Sequence, residues 1–149
     1  GLYIKEFLNN NENRFMGICL GFQVLFESSE ESINAKGLGL ISGKIEKLKS
    51  SESERIPHVG WNDVLPLKKN SYLNFLENPM DVYFVHSYGL LLNQNLNEDL
   101  FHEFTVTRHG KNKFLSSFRL SNLYGCQFHP EKSSKVGTKF LKLFLELNA

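Results

Sequence analysis

Arg14-Phe15-Met16-Gly17-Ile18-Cys19-Leu20-Gly21-Phe22-Gln23-Val24-Leu25-Phe26 decides the fold of this chain. A short apolar run, Arg14 to Ile18, enters Gly-x-Cys-x-Gly, and a second apolar run continues from Phe22. The pattern predicts a buried strand, a tight turn at Cys19 and a helix. It parallels the Gly-x-Ser-x-Gly turn that exposes a nucleophilic serine between a strand and a helix. Gly17 and Gly21 lack side chains where strand and helix should crowd together, which allows Cys19 a strained, exposed backbone geometry. A thiol at a helix N-terminus also feels the positive end of the helix dipole, which favours the reactive thiolate. From this stretch alone Cys19 reads equally as a nucleophile or as a small buried hydrophobe; a base must be found elsewhere.

The totals set bounds. A length of 149 residues predicts one domain, 1–149, and 41% hydrophobic content is enough for a real core. The formal net charge of +1 points to neither nucleic acid nor an anionic membrane. No apolar run approaches the roughly 20 residues of a membrane span, and the start carries no signal-peptide pattern. Cys19 and Cys126 are too few for a disulfide framework, so a reduced, cytoplasmic setting is expected. The sequence opens at Gly1 without Met, already inside an amphipathic pattern with Ile4, Phe7 and Leu8 on one face. A parallel α/β domain needs several strand–helix units, so an N-terminal part is expected to be missing.

Along the chain, Asn9 to Asn13 reads as a polar turn, and the nucleophile helix as running to about Ser28 before a polar loop at Ser28–Ser32. Gly37 to Ile41 reads as a turn into a β segment, and Gly43 to Leu48 as an edge strand. Lys49 to Glu54 is a polar loop. Ile56 to Val64 mixes β formers with Pro and Gly, and Ser71 to Leu76 reads as a short helix or turn. Asp81 to Tyr88 is a continuous β run, the signature of a strand buried on both faces. Phe101–Thr107 and Lys113–Leu120 read as a pair of outer strands. Leu123 to Phe128 is another buried strand, and Ser134 to Leu147 an amphipathic helix with Val136, Phe140, Leu143, Phe144 and Leu147 as its apolar stripe.

His129-Pro130-Glu131 supplies the candidate base. Proline biases the residue before it toward extended geometry, and in an extended chain residues two apart point the same way. Glu131 beside His129 could fix its tautomer and stabilise its charged form. Cys19, His86 and His129 all fall at C-terminal strand ends, where sites of open α/β sheets form. His58 reads as a ligand or, preferably, a satisfied β histidine; His109 reads as an exposed turn residue and Cys126 as core. Neither Cys-x-x-Cys nor His-Glu-x-x-His is present, so no metal site and no cofactor are expected.

Gly17-Ile-Cys-Leu-Gly-Phe-Gln23 together with Phe128-His-Pro-Glu131 resembles the class I, triad-type glutamine amidotransferases, which use Cys, His and Glu in this chain order. The resemblance implies an α/β fold with a mostly parallel open sheet flanked by helices and an added antiparallel strand pair. It implies Cys19 as nucleophile, His129 as base and acid, Glu131 as its orienter, Gln23 as a holder of the substrate amide and the Leu20 N–H as an oxyanion donor. Pro57-His-Val-Gly-Trp-Asn62, Tyr83-Phe-Val-His-Ser-Tyr88 and His129-Pro-Glu-Lys-Ser133 narrow it to the glutaminase subunits of imidazole glycerol phosphate synthases. In that branch Trp61, Asn62, Tyr83 and Lys132 would lie toward a cyclase subunit, and Ser87 and Tyr88 would contribute to the glutamine pocket. Ammonia cut from glutamine would pass to that cyclase in histidine biosynthesis. Three alternatives stay open: an amidotransferase serving another acceptor enzyme, such as one amidating surface sugars, a non-catalytic binding subunit, and an unrelated cysteine hydrolase with the same kind of turn, against which Gln23 and Lys132 argue. Phe22 replaces a commoner Met or His. The family's opening strand–helix–strand stretch and the Pro-Gly-rich loop that supplies a second oxyanion donor do not precede Gly1 in this sequence.

Overall fold

The structure, a computed structural model, describes residues 2–66, 80–92 and 98–146. Helix α1 (Leu2–Leu8) leads through a polar turn to strand β1 (Phe15–Ile18), and Cys19 separates β1 from helix α2 (Leu20–Gln23). There follow β2 (Ser28–Ser29), β3 (Ser32–Lys36), β4 (Lys44–Lys47), β5 (His58–Pro66), β6 (Met80–His86) and β7 (Tyr88–Gly89). A long antiparallel pair, β8 (Glu103–His109) and β9 (Asn112–Leu120), precedes β10 (Leu123–Cys126), a 3-10 turn over Pro130–Lys132 and helix α3 (Ser134–Glu146). The short helix or turn expected at Ser71–Leu76, and Leu147 of the apolar stripe, lie outside the described residues.

The strands form a six-stranded sheet in the order β1-β10-β9-β8-β5-β6 and a small sheet in the order β3-β2-β4-β7. An open α/β sheet flanked by helices is therefore present, but its strand directions correct the expectation of a mostly parallel sheet. In the large sheet β1 and β10 run parallel and the other four neighbouring pairs run antiparallel. The connections explain this locally: Gly110-Lys111 and Ser121-Asn122 are two-residue links, which can join only antiparallel neighbours.

Alternation along β1 and β10 builds two cores. Phe15 and Leu123 pack with Phe22 of α2, Phe101, Phe104 and Phe118, whereas Met16, Ile18 and Cys126 pack with Phe84, Phe114, Phe128 and Phe140 of α3. The glycines sit where α2 presses on the sheet. A Cβ on Gly17 would strike the Gly21 carbonyl, and one on Gly125 would lie 2.5 Å from the Phe118 ring and 2.8 Å from Phe22. Gly21 has nothing within 4 Å of its would-be Cβ, so the crowding argument holds for Gly17 and fails for Gly21.

Other expectations also need correction. Helix α2 stops at Gln23 rather than near Ser28, because the carbonyls of Val24, Leu25 and Phe26 accept N–H groups of Leu38, Leu40 and Gly39. Those bonds pull the Gly37–Ile41 segment against the chain that would have continued the helix. The Ser28–Ser32 stretch is the start of a β-hairpin, not a loop. Strand β6 is not buried on both faces: Val82, Phe84 and His86 are buried while Asp81 and Val85 are exposed, the alternation of an end strand paired on one side with β5. Strands β8 and β9 are interior rather than outer, each with a run of five buried residues. Among the described residues no helix is long and apolar enough to cross a membrane.

Candidate active site

The parallel pairing of β1 with β10 carries Cys19 and His129 out of the same end of the sheet. Ile18 lies opposite Cys126, and the Cys19 N–H donates to the Cys126 carbonyl at 2.8 Å. Cys19 turns at φ 52° and ψ −106°, the left-handed side that non-glycine residues avoid. Its Sγ lies 3.9 Å from the Val85 carbonyl at the end of β6. Burial pushes the thiol pKa up, and the charges of Glu131 and Glu31 push the same way; the Leu20 N–H and Gln127 oppose them. The start of the helix does favour thiolate as expected, through the Leu20 N–H, but burial outweighs it. A four-residue helix has little dipole to offer against desolvation.

His129 is extended, at φ −99° and ψ 96°, as the proline after it requires. Its Nδ1 meets Glu131 Oε1 at 2.6 Å. The route differs from the expected one, because Glu131 returns through the 3-10 turn over Pro130–Lys132 rather than along an extended chain. The backbone there is pinned: the His129 N–H donates to the Tyr83 carbonyl at 2.9 Å, and Ser133 Oγ donates to the His129 carbonyl at 2.6 Å. The Tyr83 N–H in turn donates to Ser133 Oγ at 2.9 Å. With Nδ1 held by Glu131, Nε2 is the nitrogen left for proton transfer.

Gln23 lies in the last turn of α2, buried, with both hydrogens of Nε2 committed. One goes to the Tyr88 carbonyl at 2.8 Å and the other to Gln127 Oε1 at 3.0 Å. Its Oε1 remains for a ligand. A cavity of about 360 Å³ opens beside it, lined by Leu20, Gln23, Val24, Glu31 and Lys36 among others. Cys19, His129, Glu131, Ser87 and Tyr88 are not among its lining residues; Leu20 and Gln23 connect it to the Cys19 turn, and Tyr88 reaches Gln23 through its main chain.

The partner-facing quartet divides. Trp61 and Tyr83 lie opposite each other across β5 and β6, their rings 6.0 Å apart edge to face, and Lys132 Nζ sits 5.9 Å above the Tyr83 ring. Asn62 points the other way, donating to His58 Nε2 at 3.2 Å and to the Arg108 carbonyl at 2.9 Å. His58 is the satisfied β histidine: its Nδ1 lies 3.0 Å from His86 Nε2, and burial lowers its pKa to about 3. His86 is lowered to about 4, again by burial, and its Nδ1 donates to the Tyr88 carbonyl at 2.8 Å. His109 is half-buried rather than exposed, its ring stacked 4.0 Å from that of His58.

Two residues of the site escaped the sequence. Gln127, fully buried and bonded to Gln23, has its Nε2 at 3.8 Å from Cys19 Sγ. Its only signal is its place one residue beyond β10, level with the Cys19 turn. Glu31, at the cavity wall, lies in a polar stretch that gives no signal. Among the described residues, no group of three or more His, Cys, Asp and Glu is placed to hold a metal ion.

Residues 2–147 match the family model described as "Glutamine amidotransferase class-I". The chain is 42% identical over 95% of its length to an imidazole glycerol phosphate synthase subunit HisH from Prochlorococcus marinus, covering 66% of that protein. It is 43% identical over 89% of its length to the subunit of the same name from Methanocaldococcus jannaschii, covering 63% of it. The chain thus spans a little under two thirds of these curated relatives. A solved structure titled as a glutamine amidotransferase superposes with a TM-score of 0.62 at 17% identity, over 97% of this chain and 65% of that one.

Proposed function

The chain belongs to the class I glutamine amidotransferase family, and on that premise we propose that it is the glutaminase subunit of an imidazole glycerol phosphate synthase. The observation that carries the reading is the His129–Glu131 contact of 2.6 Å at the strand end beside the strained Cys19. A cysteine, an imidazole and a carboxylate that orients it are the parts of a thiol acyl-transfer site.

Glutamine enters the cavity beside α2. Glu31 and Lys36 on its wall offer charges of the signs that an α-ammonium and an α-carboxylate need. Gln23 Oε1 accepts from the substrate. Because burial holds Cys19 as a thiol, His129 Nε2 first takes its proton, and Glu131 stabilises the imidazolium. The thiolate adds to the side-chain amide carbon, and the Leu20 N–H stabilises the oxygen that gains charge. The C–N bond breaks as His129 returns the proton to the leaving nitrogen, releasing ammonia. Water then attacks the thioester, again with His129 as base, and glutamate leaves.

The acceptor belongs to the partner. Trp61, Tyr83 and Lys132 form the surface for a cyclase subunit, which would use the ammonia to make imidazole glycerol phosphate in histidine biosynthesis. Coupling has a short path there, since the Tyr83 carbonyl holds the His129 N–H. A cytoplasmic setting fits such a two-subunit enzyme.

The test is glutamate formation from glutamine with and without a histidine-pathway cyclase subunit and its ligand, beside Cys19→Ala. Ligand-stimulated activity that falls at least about 10³-fold in the variant is expected. Cys19-dependent activity indifferent to the cyclase would move the reading to another acceptor. Glutamate formation retained by Cys19→Ala would overturn the assignment of the nucleophile.

A further inference from the structure

Gln127 is fully buried, one residue past β10, and its side chain joins the cavity residue Gln23 to Cys19. The orientation of its amide can be deduced. The Tyr88 carbonyl can only accept, so Gln23 must turn its NH₂ toward it. The second hydrogen of the same NH₂ then points at Gln127, which must answer with Oε1. That leaves Gln127 Nε2, a donor, facing Cys19 Sγ at 3.8 Å. Flipping Gln127 would set two donors against each other, and flipping Gln23 would leave the Tyr88 carbonyl facing an oxygen. On its other side the same carbonyl receives the His86 Nδ1–H at 2.8 Å, which makes His86 Nε2 an acceptor for His58 Nδ1–H and His58 Nε2 an acceptor for Asn62. One main-chain oxygen therefore fixes the polarity of a buried chain from β5 to the sulfur.

We propose that Gln127 is the positioning residue of the Cys19 sulfur: its amide, locked by Gln23 and the Tyr88 carbonyl, presents an N–H that strengthens its bond as the thiol becomes thiolate. This rests on the reading of Cys19 as nucleophile. A donor to sulfur gains when the sulfur is charged, because charge-assisted hydrogen bonds are roughly twice as strong as neutral ones. The setting makes the gain matter. Glu131, from the 3-10 turn, and Glu31, from the β2–β3 turn, both oppose thiolate, as does burial. Among the described residues that influence this thiol, Gln127 is the one side chain that acts in the other direction; the Leu20 N–H is its main-chain counterpart.

The test measures the Cys19 thiol itself. Iodoacetamide labelling of the Cys19 peptide is followed by mass spectrometry from about pH 7 to about pH 11.5 in the wild-type chain, in Gln127→Met and in Gln127→Glu. Met fills the space without a donor. Glu keeps an acceptor for Gln23 and puts a carboxylate oxygen where the donor was. The expected result is a labelling midpoint about one pH unit higher in Gln127→Met, with roughly tenfold slower labelling at pH 7, and a larger shift in Gln127→Glu. A folded Gln127→Met with the wild-type midpoint overturns the proposal. If neither variant folds, ¹⁵N NMR of the wild-type chain decides. The Gln127 side-chain amide signals should move with the Cys19 titration and follow its midpoint, and signals that stay still overturn the proposal. Labelling needs no turnover, so loss of this inference is distinct from failure of the nucleophile reading, which Cys19→Ala reports.

Discussion

The two faces of the β5–β6 pair each mix polar with apolar residues, and they do so to different ends. Toward the interior, the pair sets His58, Asn62 and His86 among Val64, Val82 and Phe84; toward the outside it presents Val59, Trp61, Tyr83 and Val85, with Asp63 and Asp81 at one end. Val59 is 55% exposed and Trp61 54%, whereas His58 is 3% and His86 6%. Apolar residues gathered on an outer face mark a surface that something else covers. Polar residues turned inward are tolerated only if every donor and acceptor is answered. Here they are, through Asn62, His58, His86 and the Tyr88 carbonyl. The inner face therefore bears on the stability of the free chain, and the outer face on the proposed partner.

Neighbouring residues give the sharpest way to break the comparison. His86→Leu keeps the volume but removes the acceptor for the His58 N–H and one donor to Tyr88, leaving a buried donor unanswered. The expected cost is about 3 kcal/mol in urea unfolding. Val85→Thr, one residue earlier on the outer face, is expected to stay within about 0.5 kcal/mol. Equal costs for the two would show that the inner network contributes no more than the exposed face.

Acid attacks the same network. His58 and His86 have folded pKa values of about 3 and about 4, against an ordinary value near 6.5 in the unfolded chain. Above pH 6.5 neither state is protonated at these rings. As pH falls from 6.5 toward 4, the unfolded chain takes up protons that the folded chain refuses, so stability drops. The groups facing the pair are His109, itself paired with Glu54 at 3.4 Å, and His129, paired with Glu131; His109 and His129 are bases whose charges add to the penalty. Between pH 7 and pH 5, before most carboxylates titrate, the loss is expected to be on the order of 2 kcal/mol, after allowance for partial screening at His58. A flat urea midpoint across that window would mean that the pair charges freely in the folded state.

How far the sequence reached follows the range of each cause. The Cys19 turn and the His129–Glu131 contact were legible because their causes are local: an apolar run broken at Gly17, a proline after His129, an acid two residues on. Gln127 and the His58–His86 contact were not, because each depends on register between distant segments. His58 meets His86 only because β5 and β6 pair with that offset, and nothing within either stretch sets it. Gly21 failed for the complementary reason. The crowding assigned to it falls on Gly125, which comes under Phe22 when β10 takes its place beside β1. Strand direction was misjudged where apolar runs look alike in parallel and antiparallel sheets, although the two-residue turns at Gly110-Lys111 and Ser121-Asn122 carried the information.

The smallest effect is expected at the outer face, and it tests the comparison from the other side. Trp61 touches Tyr83 edge to face at 6.0 Å, and its ring is more than half in solvent. Such a contact is worth about 0.5–1 kcal/mol, and removing a large exposed apolar surface returns part of that by relieving poor solvation. Trp61→Ala is therefore expected to change the urea midpoint by less than about 1 kcal/mol equivalent, with the Lys132–Tyr83 contact contributing no more than about 0.5–1 kcal/mol besides. The same variant should weaken binding to the proposed cyclase subunit, because an exposed tryptophan beside Val59, Tyr83 and Val85 is the kind of residue on which association energy concentrates. A variant that unfolds easily would make Trp61 a core residue of the free chain. A variant that is stable and still binds the cyclase with wild-type affinity would leave the outer apolar face to a different partner.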